Sequence, residues 1–401
     1  MKNVDLSTII NGIRFENPFI LASAPPTASE ESIRNSFEEG WAGAVVKTVR
    51  PDSVFNSNVS PRFATLKESS RVIGFQNIEM LSDKSMDYWV KTIEVLKKDY
   101  PAKVLIASIM GADKASWQLV VKEMYKAGAD ALELNFSCPN GVTHQGLGLS
   151  IGQDNESIQR ITTWVKEVSR IPVLVKLTPN VTDIAASARA AVLGGADGLV
   201  AINTVSCLIG VDLDTLSPLP NVNGYSTYGG YSGIAVKPIG LRCVAQICKA
   251  VDAPVHGMGG ISNWKDALEY IALGASVVQV CTEVMLKGYS IIKPMIAGFT
   301  NYMESKGFSS LDEIRGLALA KVVNHNDLSR EYKVVASIQA EKCVSCSKCR
   351  KVCRESGYHA VEKAGDAFKV DFKKCDGCSL CTYVCESDAI SMIAREEIQC
   401  C

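Results

Sequence analysis

Residues 172–204 read PVLVKLTPNVTDIAASARAAVLGGADGLVAINT, and this stretch decides the fold. Pro172 to Pro179 is a short, mostly apolar, β-rich run ending in polar residues and proline. Ile184 to Leu193 has helical periodicity, and Gly198 to Thr204 is a second apolar run. Strand, helix and strand in this order make a βαβ unit with parallel strands. The pattern extends in both directions, with runs at Phe19 to Pro25, Ala42 to Val49, Lys103 to Met110, Ala131 to Pro139, Pro254 to Gly260 and Val277 to Glu283. Helical segments lie between them: Trp117, Val121 and Met124 share one face between Met110 and Ala131, and Asp266 to Leu273 reads the same way. Near-continuous apolar runs suit strands buried on both faces. Eight such units in about 300 residues predict an α/β fold, the TIM (β/α)8 barrel, with a doubly wound sheet as the alternative.

Ahead of the barrel, Ile9-Ile10-Asn11-Gly12-Ile13-Arg14-Phe15 carries an Asn-Gly turn between apolar flanks, a β-hairpin signature placed to plug the barrel floor. From Asn301 to Lys333 the sequence is polar and helical, with Asp327-Leu328-Ser329-Arg330 reading as a cap and short connecting helix. The expected organisation is a barrel over 1–300, a helical linker over 301–333, a small α+β module over 334–396 and a tail over 397–401. A chain of 401 residues that is 47% hydrophobic and 21% charged, with net charge −1, is neither disordered nor an evenly basic nucleic-acid binder. No run of 18 apolar residues occurs, and Asp5, Arg14 and Glu16 interrupt the N-terminal segment. Neither a membrane span nor a signal peptide is therefore expected, and the expected compartment is the cytoplasm.

Ten of the 15 cysteines fall between Cys343 and Cys401. Cys343, Cys346 and Cys349 are followed by Cys353, and Cys375, Cys378 and Cys381 by Cys385, which gives C-x2-C-x2-C-x3-C twice at a period of 32 residues. In such a run three thiolates wrap one cubane while the fourth reaches the other cluster. The spacing therefore assigns Cys343, Cys346, Cys349 and Cys385 to one [4Fe–4S] cluster, and Cys375, Cys378, Cys381 and Cys353 to a second, both electron carriers. Structural zinc competes with this reading but favours two C-x2-C pairs over triplets plus one, and a reducing compartment disfavours disulfides. The module resembles bacterial two-cluster ferredoxins, departing from them at Arg354 and Glu386, which stand where proline usually follows the fourth cysteine. Cys400 and Cys401 lie outside the repeat and read as a terminal pair rather than as ligands.

Chemistry in a TIM barrel sits at the C-terminal ends of the strands. Here those ends are polar: Lys47-Thr48, Asn135-Phe136-Ser137-Cys138-Pro139-Asn140, Lys176-Leu177-Thr178-Pro179 and Asn203-Thr204. Any one of these lysines or asparagines could be a satisfied rim residue; together they mark a site. Ser232-Gly233, Gly259-Gly260 and Cys281-Thr282 look like a phosphate cradle, since glycines let backbone N–H groups approach a phosphate, with tight turns alone as the lesser alternative. Gly146-Leu147-Gly148 with Gly152 has the wrong spacing for a dinucleotide fingerprint and opens no βαβ unit, so no nicotinamide site is expected. A phosphate-bearing flavin would link two-electron organic chemistry to the one-electron clusters.

The stretches ALELNFSCPNGVTHQGLGLSIGQ (131–153), KLTPNVTDIAASARAA (176–191), AINTVS (201–206), TYGGYSGIAVKP (227–238) and ASVVQVC (275–281) resemble the FMN and pyrimidine domain of the dihydropyrimidine dehydrogenases. The cysteine-rich module is similar to that family's C-terminal iron–sulfur domain. More distantly, the barrel is similar to class 1 dihydroorotate dehydrogenases, which share a cysteine at the Cys138 position. The portion that binds FAD and NAD(P)H in the family has no counterpart here, so the chain most resembles the catalytic subunit of the bacterial two-subunit NAD-dependent enzymes. The resemblance implies two chains paired with two FAD/NAD(P)H-binding partner subunits. It makes Cys138 the general acid/base. It places Ser23, Lys47, Thr48, Lys176, Ser232, Gly233, Gly259, Gly260, Cys281 and Thr282 around FMN, and Asn77, Glu79, Asn135, Ser137, Asn203 and Thr204 around the pyrimidine.

The implied chemistry is reversible reduction of the 5,6 double bond of uracil or thymine, with hydride from FMN N5 to C6 and a proton from Cys138 to C5. A planar asparagine amide matches the alternating carbonyl and N–H groups of uracil with a donor and an acceptor. A thiol with an ordinary pKa of about 8.5 is protonated at neutral pH and can serve as the acid. Lys47 and Lys176 could place positive charge near the flavin N1–C2 carbonyl side, or could be tied up in rim salt bridges. Cys207, Cys243 and Cys248 read as ordinary packing. Two other functions fit the same residues: a related FMN/iron–sulfur oxidoreductase acting on another cyclic substrate such as dihydroorotate, and a non-catalytic electron-transfer subunit.

Overall fold

A computed structural model of the chain describes residues 4–54, 56–136, 149–365 and 367–395. The chain divides into two compact units at Val322/Val323. In the first, eight strands form a closed barrel: β1 (Phe19–Leu21), β2 (Gly43–Val49), β3 (Val104–Ile109), β4 (Ala131–Asn135), β5 (Val173–Leu177), β6 (Gly198–Ala201), β7 (Val255–Met258) and β8 (Val277–Val280). They pair in parallel in chain order, β8 closing on β1, and each lies inside one of the expected runs.

Six of the helices outside the strands start at a side-chain cap, whereas Lys237–Ala250, Thr282–Lys287 and Ile292–Lys306 start without one. Ser29, Ser85, Asp113, Asp154, Asp183 and Asn263 each accept from a first-turn backbone N–H of the helix that follows. Trp117, Val121 and Met124 lie buried on one face of Lys114–Lys126, as their spacing predicts. Ile184–Leu193 is a helix over the predicted residues.

Side chains alternate along a strand, so every second residue enters the lumen. Ile20, Val45, Ile106, Leu174, Val200 and Val277 fill its lower part as one apolar cluster together with Ile10 and Phe15. Those last two come from the hairpin of Thr8–Ile10 and Ile13–Phe15, turned over Asn11-Gly12, which packs into the barrel floor as the sequence suggests. Phe15 meets the fully buried His256 edge-to-face, with ring centroids 6.1 Å apart.

A four-stranded antiparallel sheet, Val205–Cys207, Gly229–Ser232, Arg71–Asn77 and Phe63–Glu68 in spatial order, is built from two insertions that sequence periodicity did not separate from the barrel loops. The expected linker is not one connecting helix. Helix Ile292–Lys306 reaches into it and stops at Gly307, whose left-handed backbone ends the helix; short 3-10 turns follow at Leu311–Glu313, Leu319–Lys321 and His325–Asp327. Arg330 does not extend a helix from Asp327; its guanidinium donates to the carbonyls of Leu328 and His325.

The second unit pairs Val334–Ile338 with Ile390–Ala394 and Val361–Ala364 with Ala367–Val370. The short helix Lys348–Glu355 carries Cys349 and Cys353, and Leu380–Tyr383 carries Cys381, with Cys385 just beyond its end. Among the described residues, no helix is long and apolar enough to cross a membrane.

Burial pushes the His256 imidazole down to about 4 from its ordinary 6.5. Between those two values the unfolded chain holds a proton that the folded barrel refuses, so stability falls as pH drops through the window, by on the order of 3 kcal/mol in all. Chemical denaturation at pH 7 and pH 4.5 should record this loss, and His256→Leu should flatten it. Phe15→Ala should cost about 3–5 kcal/mol at either pH by emptying the floor.

Candidate active site

At the C-terminal ends of the strands lies an open cavity of about 1140 Å³, solvent at its mouth included. Ser23, Lys47, Thr48, Lys176, Ser232, Gly233, Gly259, Gly260, Cys281 and Thr282 line it, and so do Asn77, Glu79, Asn135, Asn203 and Thr204. Ser137 and Cys138 lie outside the described residues.

A polar chain crosses the top of the barrel. Thr48 Oγ1 lies 3.4 Å from Ser23 Oγ and 3.0 Å from Ser108 Oγ, and accepts from Asn135 Nδ2 at 3.0 Å. Asn203 Nδ2 donates to Asn135 Oδ1 at 3.4 Å, and Asn203 Oδ1 accepts from the Thr204 N–H at 2.8 Å. Lys47 and Thr48 are neighbours, yet both serve the cavity. The pairing of β2 with β3 shifts register between Val46 and Val49, and such a bulge re-aims a side chain that regular alternation would send outward.

The antiparallel sheet brings Asn77 to the same cavity, its Nδ2 donating to the Gly230 carbonyl at 3.2 Å. Glu79 follows and takes two cations, Lys47 Nζ at 2.5 Å and Arg62 Nε at 3.2 Å. Lower in the lumen Glu133 accepts from Lys176 Nζ at 3.3 Å and from Gln279 Nε2 at 2.9 Å. Both cavity lysines are thus in salt bridges. The Cys281 thiol lies 3.7 Å from Met285 Sδ; burial pushes it up to about 11 against the pull of Lys176 and Lys47, so it stays protonated at neutral pH.

The glycine loops form the remaining wall. Gly233, Gly259 and Gly260 have φ of 93°, 119° and 69°, and a Cβ on Gly260 would stand 2.7 Å from the Lys237 backbone nitrogen. A bare backbone is required there, and such a turn can offer its N–H groups to an anion. Tyr270 OH holds the loop by donating to the Gly259 carbonyl at 2.7 Å. Asp266 holds its far side, accepting from Ser262 Oγ and Lys237 Nζ, both at 2.7 Å. Burial raises the Asp266 carboxyl, but these bonds outweigh it and keep the group below its ordinary value. An anion cradle, two lysines and a row of amides in one cavity fit a phosphate-bearing flavin with a planar polar substrate.

In the second unit the thiols gather around two separate apolar cavities. Cys343, Cys346, Cys349 and Cys385 line one with Ile338, Phe368 and Ile390. Cys353, Cys375, Cys378 and Cys381 line the other with Val361, Val370 and Met392. These are the crossed sets that the spacing predicts, and four thiols around each apolar pocket fit a cubane. The fourth cysteine of each run receives a backbone N–H on sulfur, Ala360 to Cys353 at 3.2 Å and Ala389 to Cys385 at 3.3 Å.

Sequence reasoning missed Ser108, Glu133, Gln279 and Arg62. A lone carboxylate in ALELN and a lone amide in VVQV are legible signals, since a polar residue at a lumen position of an apolar strand must have a partner inside. Arg62 precedes a strand that was not foreseen, and nothing in its neighbourhood marks it.

This barrel, with its cavity at the strand ends, is matched over residues 5–303 by the dihydroorotate dehydrogenase family profile, and residues 336–392 match a 4Fe-4S dicluster domain. The chain belongs to the dihydroorotate dehydrogenase family; that membership implies a flavin, and the dicluster domain implies two clusters. It is 42% identical to the NAD-dependent dihydropyrimidine dehydrogenase subunit PreA of Escherichia coli K12 over 367 residues, 90% of this chain and 88% of that one. It is 40% identical to the chloroplastic dihydropyrimidine dehydrogenase (NADP(+)) of Arabidopsis thaliana over 84% of this chain and 83% of that one. Identity to the catalytic subunit of dihydroorotate dehydrogenase B of Pyrococcus furiosus is 37%, over 77% of this chain and 96% of that one. The chain is accordingly an oxidoreductase similar to the dihydropyrimidine dehydrogenases.

Replacing Cys353, which belongs to the first run, should empty the cavity of the second. Iron and sulfide analysis after anaerobic purification should fall from about eight to about four irons per chain, with the first cluster's EPR signal retained.

Proposed function

We propose that the chain reduces the 5,6 double bond of uracil and thymine, reversibly, as the catalytic subunit of a two-subunit dihydropyrimidine dehydrogenase. Its partner would be an FAD/NAD(P)H-binding subunit, in an assembly of two of each chain, with electrons arriving through the two [4Fe–4S] clusters. FMN, when bound, would supply the hydride to C6. Ser23, Lys47, Thr48 and Lys176 would hold its ring and ribityl side, and Ser232, Gly233, Gly259, Gly260, Cys281 and Thr282 its phosphate side. Asn77, Asn135 and Asn203 would fix the orientation of the pyrimidine with paired amide bonds, aided by Glu79, Ser137 and Thr204. Cys138, three residues beyond the end of β4, would deliver the proton to C5.

One observation carries the choice of a neutral pyrimidine over a carboxylated one. Among the described residues, the lysines lining the cavity are each paired with a carboxylate, Lys47 with Glu79 and Lys176 with Glu133, and Arg62 also turns to Glu79. The surplus positive charge of the Glu79 cluster sits on Arg62, which does not line the cavity, so a dihydroorotate carboxylate would find only lysines that are already paired and would meet Glu79 as a like charge. Uracil needs only amides.

Protein reduced with dithionite under anaerobic conditions should be reoxidised by uracil and thymine at least about tenfold faster than by orotate, followed by flavin absorbance. Faster reoxidation by orotate would assign a dihydroorotate-type substrate, and none by any pyrimidine an electron carrier. Cys138→Ala should lose about 10² to 10⁴ in rate while retaining flavin; undiminished turnover would remove the proton from its thiol.

A further inference from the structure

Under the cavity lies a group that neither the amide chain nor the glycine loops use. Glu133 on β4 is completely buried, and its two oxygens are taken by two cavity-lining residues, Oε1 by Lys176 and Oε2 by Gln279. The second bond settles which way the Gln279 amide faces. A carboxylate beside an ammonium group accepts and does not donate, so the amide presents its NH2 to Glu133 and its carbonyl away from it. That carbonyl oxygen, in a residue only 1% exposed, receives no hydrogen bond among the described residues. A buried carbonyl without a donor is expensive, and the bond to Glu133 blocks the simple remedy of turning the amide over.

We propose that Gln279 is a cofactor-binding residue whose Oε1 accepts a hydrogen bond from a hydroxyl of the flavin ribityl chain, with Glu133 and Lys176 as positioning residues that hold the acceptor in place; this rests on the flavin reading of the cavity. Position favours the ribityl chain over the ring. Gln279 shares the inward side of β8 with the position of Cys281, two residues on, and Thr282 follows in the loop assigned to phosphate. The polyol is the part of a flavin that runs from phosphate to ring, and its hydroxyls are donors. The pyrimidine-holding amides Asn135 and Asn203 stand instead on the β4 and β6 side.

The full-length chain, stripped of flavin and reloaded, tests this with riboflavin and lumiflavin, which share the ring and differ in the ribityl chain. Gln279→Met keeps the length and apolar bulk but has no amide. It should weaken riboflavin about tenfold and lumiflavin less than about twofold. Glu133→Gln frees the Gln279 amide to turn, and should reduce the preference for riboflavin about threefold. If Gln279→Met does not fold, as judged by melting temperature, Gln279→Asn carries the same test, because its oxygen retreats by one methylene. An unchanged preference, or equal losses for both ligands, would overturn the inference while leaving the flavin reading intact. Failure of the unaltered protein to bind either flavin would overturn that reading, and the inference with it.

Discussion

A closed barrel gives its lumen to every second residue of its strands, and any polar group set there must find its partner inside. The Glu133–Lys176 pair meets that condition at the boundary between an apolar floor and a polar cavity, with side-chain exposures of 0% and 4%. Taking either partner away would strand a buried charge, at about 3–5 kcal/mol. The cavity therefore rests on a layer that cannot be thinned without consequence. Below it, Phe15 and the hairpin seal the floor; above it, the Thr48 hydroxyl and the Asn135 and Asn203 amides form a hydrogen-bonded row.

The other walls are not barrel. Two insertions meet as an antiparallel sheet, where Gly230 pairs with Asn77 and Ser232 with Phe75, and so bring an amide and a serine hydroxyl to the same mouth. Ser232 Oγ then accepts from Thr282 Oγ1 at 2.9 Å, which joins the sheet to the loop after β8. Glu79 draws Arg62 and Lys47 together across the mouth. The cavity is assembled from segments far apart in sequence, whose only common cause is the packing of this sheet over the strand ends.

The iron–sulfur unit repeats its own backbone. Ser345 and Gly377, each two residues after a first cysteine, have φ of 53° and 79°, and Ser347 and Ser379, each just before a helix, have 67° and 61°. Serine suffices at the first position of the first run. At Gly377 a Cβ would stand 2.5 Å from the Val334 carbonyl oxygen, so the second run needs glycine. Directly after the fourth cysteine of each run, Arg354 pairs with Glu355 and Glu386 with Lys348. Both pairs are exposed and contribute little to stability.

Eight strands, the hairpin and the grouping of the cysteines could be read from the chain, because each follows from short-range periodicity or fixed spacing; the one cap expected, at Asp327, starts no helix. Glu133 and Gln279 were visible only as exceptions to an apolar pattern, and their bond to each other depended on β8 and β4 lying across the lumen from one another. The antiparallel sheet escaped because its two halves, one in Phe63–Glu68 and Arg71–Asn77 and the other in Val205–Cys207 and Gly229–Ser232, lie more than a hundred residues apart, so no local period joins them. Local propensity and cysteine spacing thus determined what kinds of element this sequence makes and which thiols can gather. Which lysine is neutralised, which amide is left with an unmet acceptor and which loops face one another were decided only by closure of the barrel, since those partnerships arise between residues that no local rule connects.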